Sequence, residues 1–458
     1  MFITNNLGSS LDDFRHSTKT AVTDSIGTAY SYEQLFTLVA QVAGGLRVAG
    51  INPGDRVAIK LKNSIEFITA YYAVLRLGAV AVLVNIKLPA TLVDYILNDS
   101  QAKLTIDEFT FASFVNQDTP VTEIAQVELT DPAVLMYTSG STSSPKGVII
   151  PHRRKLVIAE KAKFKYWPFR RIVIGAPCYH ANGLSNLESA LAGHATLIIP
   201  ASLDVVDIAD SITTHKANAI STVPTIVAKL LELPSADLTS LVSIVMASAP
   251  ISKQLYTDLA ERLPNTHIVN GYGITEAGPG LFGPHKTKPT PQASVGYPLE
   301  YNDYRIVDGI LQVRTPSMLL GYNNMQSTVV TNDGYYITND LFEIDSDGFY
   351  YFVGRADDMF TNGGNNVYPR QIEILLENHP AVKESAVIGI EDAIKGARPY
   401  AFVLLQGTVT EEELKNYTLE NLPASHCPKK IWFLKSFPLS SVNKIDKTRL
   451  KEMANDLL

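Results

Sequence analysis

From residue 56 to residue 270, short apolar runs alternate with stretches of helical period, and few architectures can use such a chain. Apolar runs that read as strands fall at 56–61, 79–84, 103–106, 133–136, 172–176, 195–199, 219–222, 243–247 and 267–270. Helical patterns fall between them, for example at 64–77, 89–98, 205–215 and 251–263. Before them, residues 21–32 read as a hairpin turning near Ser25-Ile26-Gly27. Ser31 and Gln34 have capping-box spacing and open a helix with Leu35, Leu38, Val39, Val42 and Leu46 on one face. A helix with one apolar face must cover something, and strand and helix in turn give α/β architecture with parallel, helix-covered sheets. Ligands of such folds bind beyond the carboxyl ends of the strands.

After residue 294 the texture changes to short strands and tight turns, such as Ser346-Asp347-Gly348, which predicts a small antiparallel β subdomain up to residue 354. A boundary follows Gly354-Arg355-Ala356-Asp357-Asp358. The expected division is an N-terminal domain of residues 1–356 and a smaller α+β domain of residues 357–458. In the latter, a Pro-started helix at 369–378, strands at 384–390 and 400–405 and a helix at 411–422 are expected.

Composition excludes several classes. The chain has 458 residues with a formal net charge of −7, so nucleic-acid binding through bulk positive potential is not expected. The two cysteines, Cys178 and Cys427, have neither metal nor redox spacing and are expected as free thiols of a reducing compartment. The N-terminus shows no signal-peptide pattern. The one stretch that invites a membrane reading, 65–84, contains Glu66 and Arg76 and is divided by Gly78, so helix plus strand is expected there and no integral membrane segment. A cytoplasmic location follows as an expectation, and a homodimer stays open.

Immediately after the strand at 133–136 comes YTSGSTSSPKGV, Tyr137 to Val148. Its Thr, Ser, Gly, Pro and Lys residues offer hydroxyls, backbone N–H groups and one ammonium, a set suited to a polyphosphate. It is not a Walker loop, because Gly147 follows Lys146.

Further motifs accompany this loop: PCYHANGL (177–184), ASAP (247–250), NGYGITE (270–276), YYITND (335–340), GRADDMFTNGGNNVYPRQIE (354–373) and PLSSVNKIDK (438–447). In this order and spacing the chain resembles the adenylate-forming superfamily, in its acyl- and aryl-CoA synthetase branch. The resemblance implies an AMP-forming acid:thiol ligase. In such an enzyme a carboxylate attacks the α-phosphorus of MgATP, pyrophosphate leaves, and the thiol of coenzyme A displaces AMP.

The resemblance also implies residue roles. Thr138, Ser139, Gly140, Ser141, Thr142 and Lys146 would hold the β- and γ-phosphates. Thr275 would touch the α-phosphate, and Glu276 would hold Mg2+. Ala247, Ser248, Ala249 and Pro250, with Asn270, Gly271, Tyr272 and Gly273, would line the adenine site. Asp340 and Arg355 would contact the ribose, a carboxylate being able to accept from both hydroxyls. His180 would divide the acyl pocket from the thiol tunnel, and Lys444 would be the catalytic lysine. Asp357 would be the hinge of a mobile C-terminal domain, with Gly363 and Gly364 beside the coenzyme A tunnel. The acyl pocket would draw on His180, Asn182, Gly183, Thr222, Val223, Gly278 and Gly280, a mostly small or apolar set suited to an alkyl or aryl tail. No Asp lies between Cys178 and Leu187 to pair an α-ammonium, which disfavours an amino acid as substrate.

Departures from the family pattern are Ser143, Asn339 and Asn443 at positions where Gly is usual, and Asn365 where Glu is. Asn tolerates positive φ better than other residues with a Cβ, so the backbone at 339 and 443 is expected to survive. Loading of a carrier-protein phosphopantetheine, or an inactive nucleotide-binding relative, are the alternative readings.

Overall fold

The computed structural model describes residues 4–115, 118–138, 145–163, 171–325, 329–440 and 444–458. Two helix-covered sheets make up most of the N-terminal part. The first has six strands. Arg56–Ile59, Val80–Leu83, Leu104–Ile106 and Pro132–Thr138 run parallel in it. Lys146–Pro151 then returns antiparallel to Pro132–Thr138, with Thr138 opposite Lys146. Gly321–Tyr322 pairs antiparallel with that returning strand.

The second sheet has seven strands. Arg171–Ile174, Thr196–Ile198, Ala219–Thr222, Ser243–Ala247 and His267–Gly271 are parallel. Thr20–Thr23 adds to their edge in parallel, and Ala29–Ser31 closes it as the antiparallel arm of the expected hairpin. Val80–Leu83 and Ala219–Thr222 bury every residue, as strands covered on both faces must.

Local chemistry sets the helix starts. Ser31 and Gln34 form the expected reciprocal capping box at the head of Tyr32–Val48. Ser64 caps Ile65–Arg76. That helix stops before Gly78, whose φ of 70° lets the chain turn into Val80–Leu83. Among the described residues no helix is long and apolar enough to cross a membrane.

A four-stranded antiparallel sheet follows, of Asp303–Val307, Ile310–Arg314, Tyr336–Ile344 and Tyr350–Arg355. The C-terminal sheet has five strands, Phe360–Asn362, Asn365–Val367, Val382–Asp392, Gly396–Leu405 and Ile431–Leu434. It has a core of its own around Val367, Ile372, Leu376, Val387, Val403 and Leu414. The strands expected at 384–390 and 400–405 are the inner halves of one long hairpin, turned by Gly396 at φ 82°. Its polarity hid the outer halves, because Glu391, Asp392, Lys395 and Arg398 read as loop. Residues 356–359 join the two antiparallel sheets. Lys383 pairs with Glu232, and Gln406 Nε2 donates to Gln254 Oε1 at 3.1 Å, so the C-terminal sheet touches the helices Pro224–Glu232 and Lys253–Arg262.

Candidate active site

Asp340 sits in the strand Tyr336–Ile344, where alternate side chains are buried and the carboxylate takes an inward place between Thr338 and Phe342. Its Oδ2 accepts the Tyr272 hydroxyl at 2.5 Å. Arg355, directly opposite across the strand pair, brings Nη1 to 3.2 Å from Oδ1. That approach lacks hydrogen-bond alignment, and Oδ1 stays buried without a hydrogen bond among the described residues. A buried acceptor in this state calls for a donor, and a ribose hydroxyl is one that fits. Asn339, beside it, has φ 58°, so the expectation that Asn replaces Gly at a left-handed position is met there. Asn443 and Ser143 lie outside the described residues.

Burial is the main cause that pushes the Asp340 carboxyl up to about 6, with Tyr272 and Arg355 opposing and Asp357 and Asp358 adding. The raised value means that ionising Asp340 opposes folding. The penalty is absent below the unfolded value of 3.8 and complete above about pH 6. Asp340→Asn is therefore expected to melt higher than wild type at pH 8, with the gain shrinking as pH falls through 6 towards 4, while its affinity for AMP falls. Melting curves across that range check it, and a gain independent of pH would count against it.

Tyr272 is held edge-on to Phe342 at 4.9 Å between ring centroids and close to Phe282 and Phe352. It follows the strand His267–Gly271, whose Gly271 is paired with Ala247 of the neighbouring parallel strand. The segments 247–250 and 270–273 thus lie side by side at carboxyl ends, where a nucleotide base was expected. Ser248 adopts φ 72°. Asn270 Nδ2 donates to the Ala293 and Ser294 carbonyls at 3.2 Å each, which ties this segment down. A Cβ on Gly273 would lie 2.8 Å from Gly280 N.

Glu276 comes from the next turn, with Thr275 beside it, both partly buried. Its Oε1 accepts the Tyr322 hydroxyl at 3.1 Å. The Lys146 ammonium lies 5.9 Å from the centroid of the same Tyr322 ring. One tyrosine therefore joins the end of the phosphate-suited loop to the expected Mg2+ ligand. Nothing in the sequence points to this partner, since the Gly321–Tyr322 strand meets Lys146–Pro151 only in the folded sheet. A single carboxylate is an adequate protein share for Mg2+, which takes its other ligands from phosphate and water. Thr138 and Lys146 flank the loop as described, while Ser139, Gly140, Ser141 and Thr142 lie outside the described residues.

His180 caps the helix Ala181–Ala192 without a side-chain hydrogen bond. Burial, and then the charge of Lys444, push its pKa down to about 4, so the ring is neutral at pH 7. Lys444 comes from the far end of the chain. Its pKa is lowered first by burial and then by the Arg355 guanidinium. The charge of Lys444 thus acts on His180, and that of Arg355 on Lys444, although the three stand far apart in sequence.

The expected acyl-pocket residues divide. Asn182 follows His180 on the helix. Gly183 is fully buried, and a Cβ there would lie 2.2 Å from the Pro177 carbonyl. Thr222 is 0% exposed and its hydroxyl donates to the Gly175 carbonyl at 2.7 Å, so it braces the pocket wall and offers no group to a ligand. Val223 opens the helix Pro224–Glu232. Gly278 and Gly280 have φ 99° and 63°, and a Cβ on Gly278 would lie 2.4 Å from Ser317 Cβ. Asp357 accepts from Arg355 Nη2 at 3.0 Å. Gly363 and Gly364 turn the hairpin Phe360–Val367 with φ 60° and 83°, and nothing lies within 4 Å of a Cβ placed on Gly364.

Comparison with known proteins gives the family of the chain. The family model described as AMP-binding enzyme matches residues 13–322, and that described as AMP-binding enzyme C-terminal domain matches 371–444. A 2-succinylbenzoate–CoA ligase of Bacillus licheniformis is 29% identical over 92% of this chain and 94% of its own. A feruloyl-CoA synthase of Amycolatopsis is 30% identical over 93% of this chain and 94% of its own. The solved structure of o-succinylbenzoate CoA synthetase from Bacillus subtilis, in complex with its acyl-adenylate intermediate, superposes with a TM-score of 0.82 at 27% identity, covering 97% of this chain and 98% of that one. The chain belongs to the AMP-binding enzyme family, the adenylate-forming superfamily, as an AMP-forming acid:CoA ligase that works with ATP, Mg2+ and coenzyme A.

Proposed function

We propose that this chain activates a free aryl or alkyl carboxylic acid as its acyl-adenylate and passes the acyl group to the thiol of coenzyme A. The observation that carries the reading is the buried Asp340–Tyr272 pair, whose second carboxylate oxygen is left open beside Arg355, together with the Tyr322 ring that joins Glu276 to Lys146. Lys444 has its pKa lowered by burial and then by the Arg355 charge, and an anion bound beside it would offset both. A carboxylate approaching a phosphate is a pair of anions that needs such charge.

In the first half-reaction a carboxylate oxygen bonds to the α-phosphorus and the bond to the β-phosphate oxygen breaks. Lys444 holds both anions, Thr275 donates to the α-phosphate, and Lys146 takes the departing pyrophosphate. Mg2+ on Glu276 offsets phosphate charge when bound. Asp340 accepts the ribose hydroxyls, with Arg355 beside them, and positions the nucleoside triphosphate for in-line displacement. In the second half-reaction the thiol sulfur bonds to the acyl carbon and AMP leaves with the oxygen.

Residues 1–356 and 357–458 act as the two bodies of this cycle, with Asp357 as hinge. Rotation withdraws Lys444 and brings Gly363 and Gly364 towards the adenylate. A cytoplasmic location agrees with the two unpaired thiols.

The test is pyrophosphate release from MgATP over a panel of carboxylic acids, with coenzyme A, without it, and with hydroxylamine as trap. Acid-dependent pyrophosphate is expected in all three, with hydroxamate in the last and acyl-CoA only in the first. No acid-dependent release across the panel would overturn the reading. Adenylate without acyl-CoA would point to a carrier-protein acceptor.

A further inference from the structure

The helix that begins at His180 carries a polar cluster where an alkyl-binding wall would have none. Asn186 Nδ2 donates to Asn182 O at 2.7 Å, to Asn182 Oδ1 at 2.8 Å and to Ser221 Oγ at 2.8 Å. Ser185 Oγ also donates to the Asn182 carbonyl at 3.1 Å. Asn186, Ser185 and Ser221 are all buried. Because Asn182 Oδ1 accepts from Asn186, the orientation of the Asn182 amide is fixed and its Nδ2 faces away from that partner. Among the described residues Asn182 Nδ2 is buried and has no acceptor, and His180 Nε2, two residues before it, is also buried and unbonded.

Ser221 lies in Ala219–Thr222, between the parallel strands Arg171–Ile174 and Ser243–Ala247. The cluster is therefore at the carboxyl-end rim of this sheet, on the His180 side of the adenylate site. It contains no ionised group. The Arg154–Glu188 pair belongs to another face of the helix, since Glu188 lies about 200° around the axis from Asn186.

An unpaired amide donor in a buried place costs stability, and an apolar tail packed against it would leave that cost standing. A second carboxylate would be buried there without a counter-charge. We propose that Asn182, held by Asn186 and Ser221, is a specificity determinant that reads an uncharged acceptor oxygen, as hydroxyl, ether or ketone, on the acyl group. This revises the expectation of a plain alkyl or aryl tail, and it rests on the ligase reading above.

Pyrophosphate release by the full chain with MgATP tests it, using benzoate, cinnamate and hexanoate series in which each parent acid is paired with derivatives bearing one hydroxyl, methoxy or keto oxygen, or a second carboxylate. In at least one series an oxygen-bearing uncharged acid is expected to exceed its parent in kcat/KM by about tenfold or more, chiefly through KM. Asn182→Leu is expected to remove that preference and to improve the parent acid. Parent and derivative turned over equally in every series, a preference for the second carboxylate, or a preference untouched by Asn182→Leu would overturn the proposal. The wild-type ratios decide it even if the variant fails to fold. The ATP-induced rise in melting temperature, read without any acid, reports the nucleotide site alone. A protein that melts higher with ATP yet shows no oxygen preference keeps the ligase reading and loses this one.

Discussion

Lys444→Ala is expected to slow acyl-adenylate formation by about 10^2- to 10^3-fold while thioester formation from supplied acyl-adenylate stays near wild type. The side chain is aimed by a short local device. Ser440 N donates to the Lys444 carbonyl at 2.8 Å, Lys444 N donates to Ser440 Oγ at 3.3 Å, and Leu439 bridges to Ile445. Burial, and then the Arg355 charge, lower the pKa of the ammonium so held. On the proposed reading its work is confined to the step in which two anions meet. The second step needs a thiol at the acyl carbon, and the charge between carboxylate and phosphate is then no longer required. Lys444→Arg is not expected to rescue, since a planar fork cannot replace a compact charge at that spot. Single-turnover measurements of the two half-reactions, with melting curves as a folding control, check the prediction. Equal loss in both would mean that the lysine does not leave the site between them.

Glu188→Ala is expected to cost about 3–5 kcal/mol of stability. Glu188 Oε2 is 2.9 Å from Arg154 Nε, with the two side chains 1% and 0% exposed, and Oε1 accepts the Tyr71 hydroxyl at 2.6 Å. Among the described residues Arg154 Nη1 and Nη2 find no hydrogen-bond partner, so the pair is already poorly satisfied. Removing the carboxylate leaves a guanidinium with no counter-charge in a low-dielectric place, which is costlier than losing one contact. Glu188→Gln keeps an acceptor and should lose less. The double variant Arg154→Met with Glu188→Leu should recover most of the loss, because it removes both charges together. Denaturant midpoints measure all three, and a loss below about 1 kcal/mol for Glu188→Ala would show that the charge is relieved by other groups. The pair also anchors the helix Ala181–Ala192, so acid turnover should fall with stability in the same variant.

The strands were legible because a strand buried on both faces has to be apolar throughout, as 80–83 and 219–222 are. The outer parts of the hairpin Val382–Leu405 were not, because polar residues carry a strand once it stands out from the core. Lys146–Pro151 was also hidden: VIIP reads equally as the end of a loop or as a strand, and only its pairing with Pro132–Thr138 decides.

Among the site residues, those that can be named from order along the chain were Lys444, Glu276, Asp340 and His180, each standing in a distinctive local run. Tyr322 was missed, since its role depends on a strand pairing far from Glu276 in sequence. Asn182 was placed in the pocket but with an apolar tail in mind, because the bonds to Asn186 and Ser221 that fix its amide join two elements.

The sequence by itself determined the alternation of strands and helices and their caps, since period and local turn chemistry are properties of neighbouring residues, and through its resemblance to a family it supplied the groups proposed to handle phosphate. Only the tertiary structure decided which charges meet and which polar atoms are left without partners. Electrostatic energy and the cost of an unmade hydrogen bond depend on distance and burial, and those exist only once distant segments have packed.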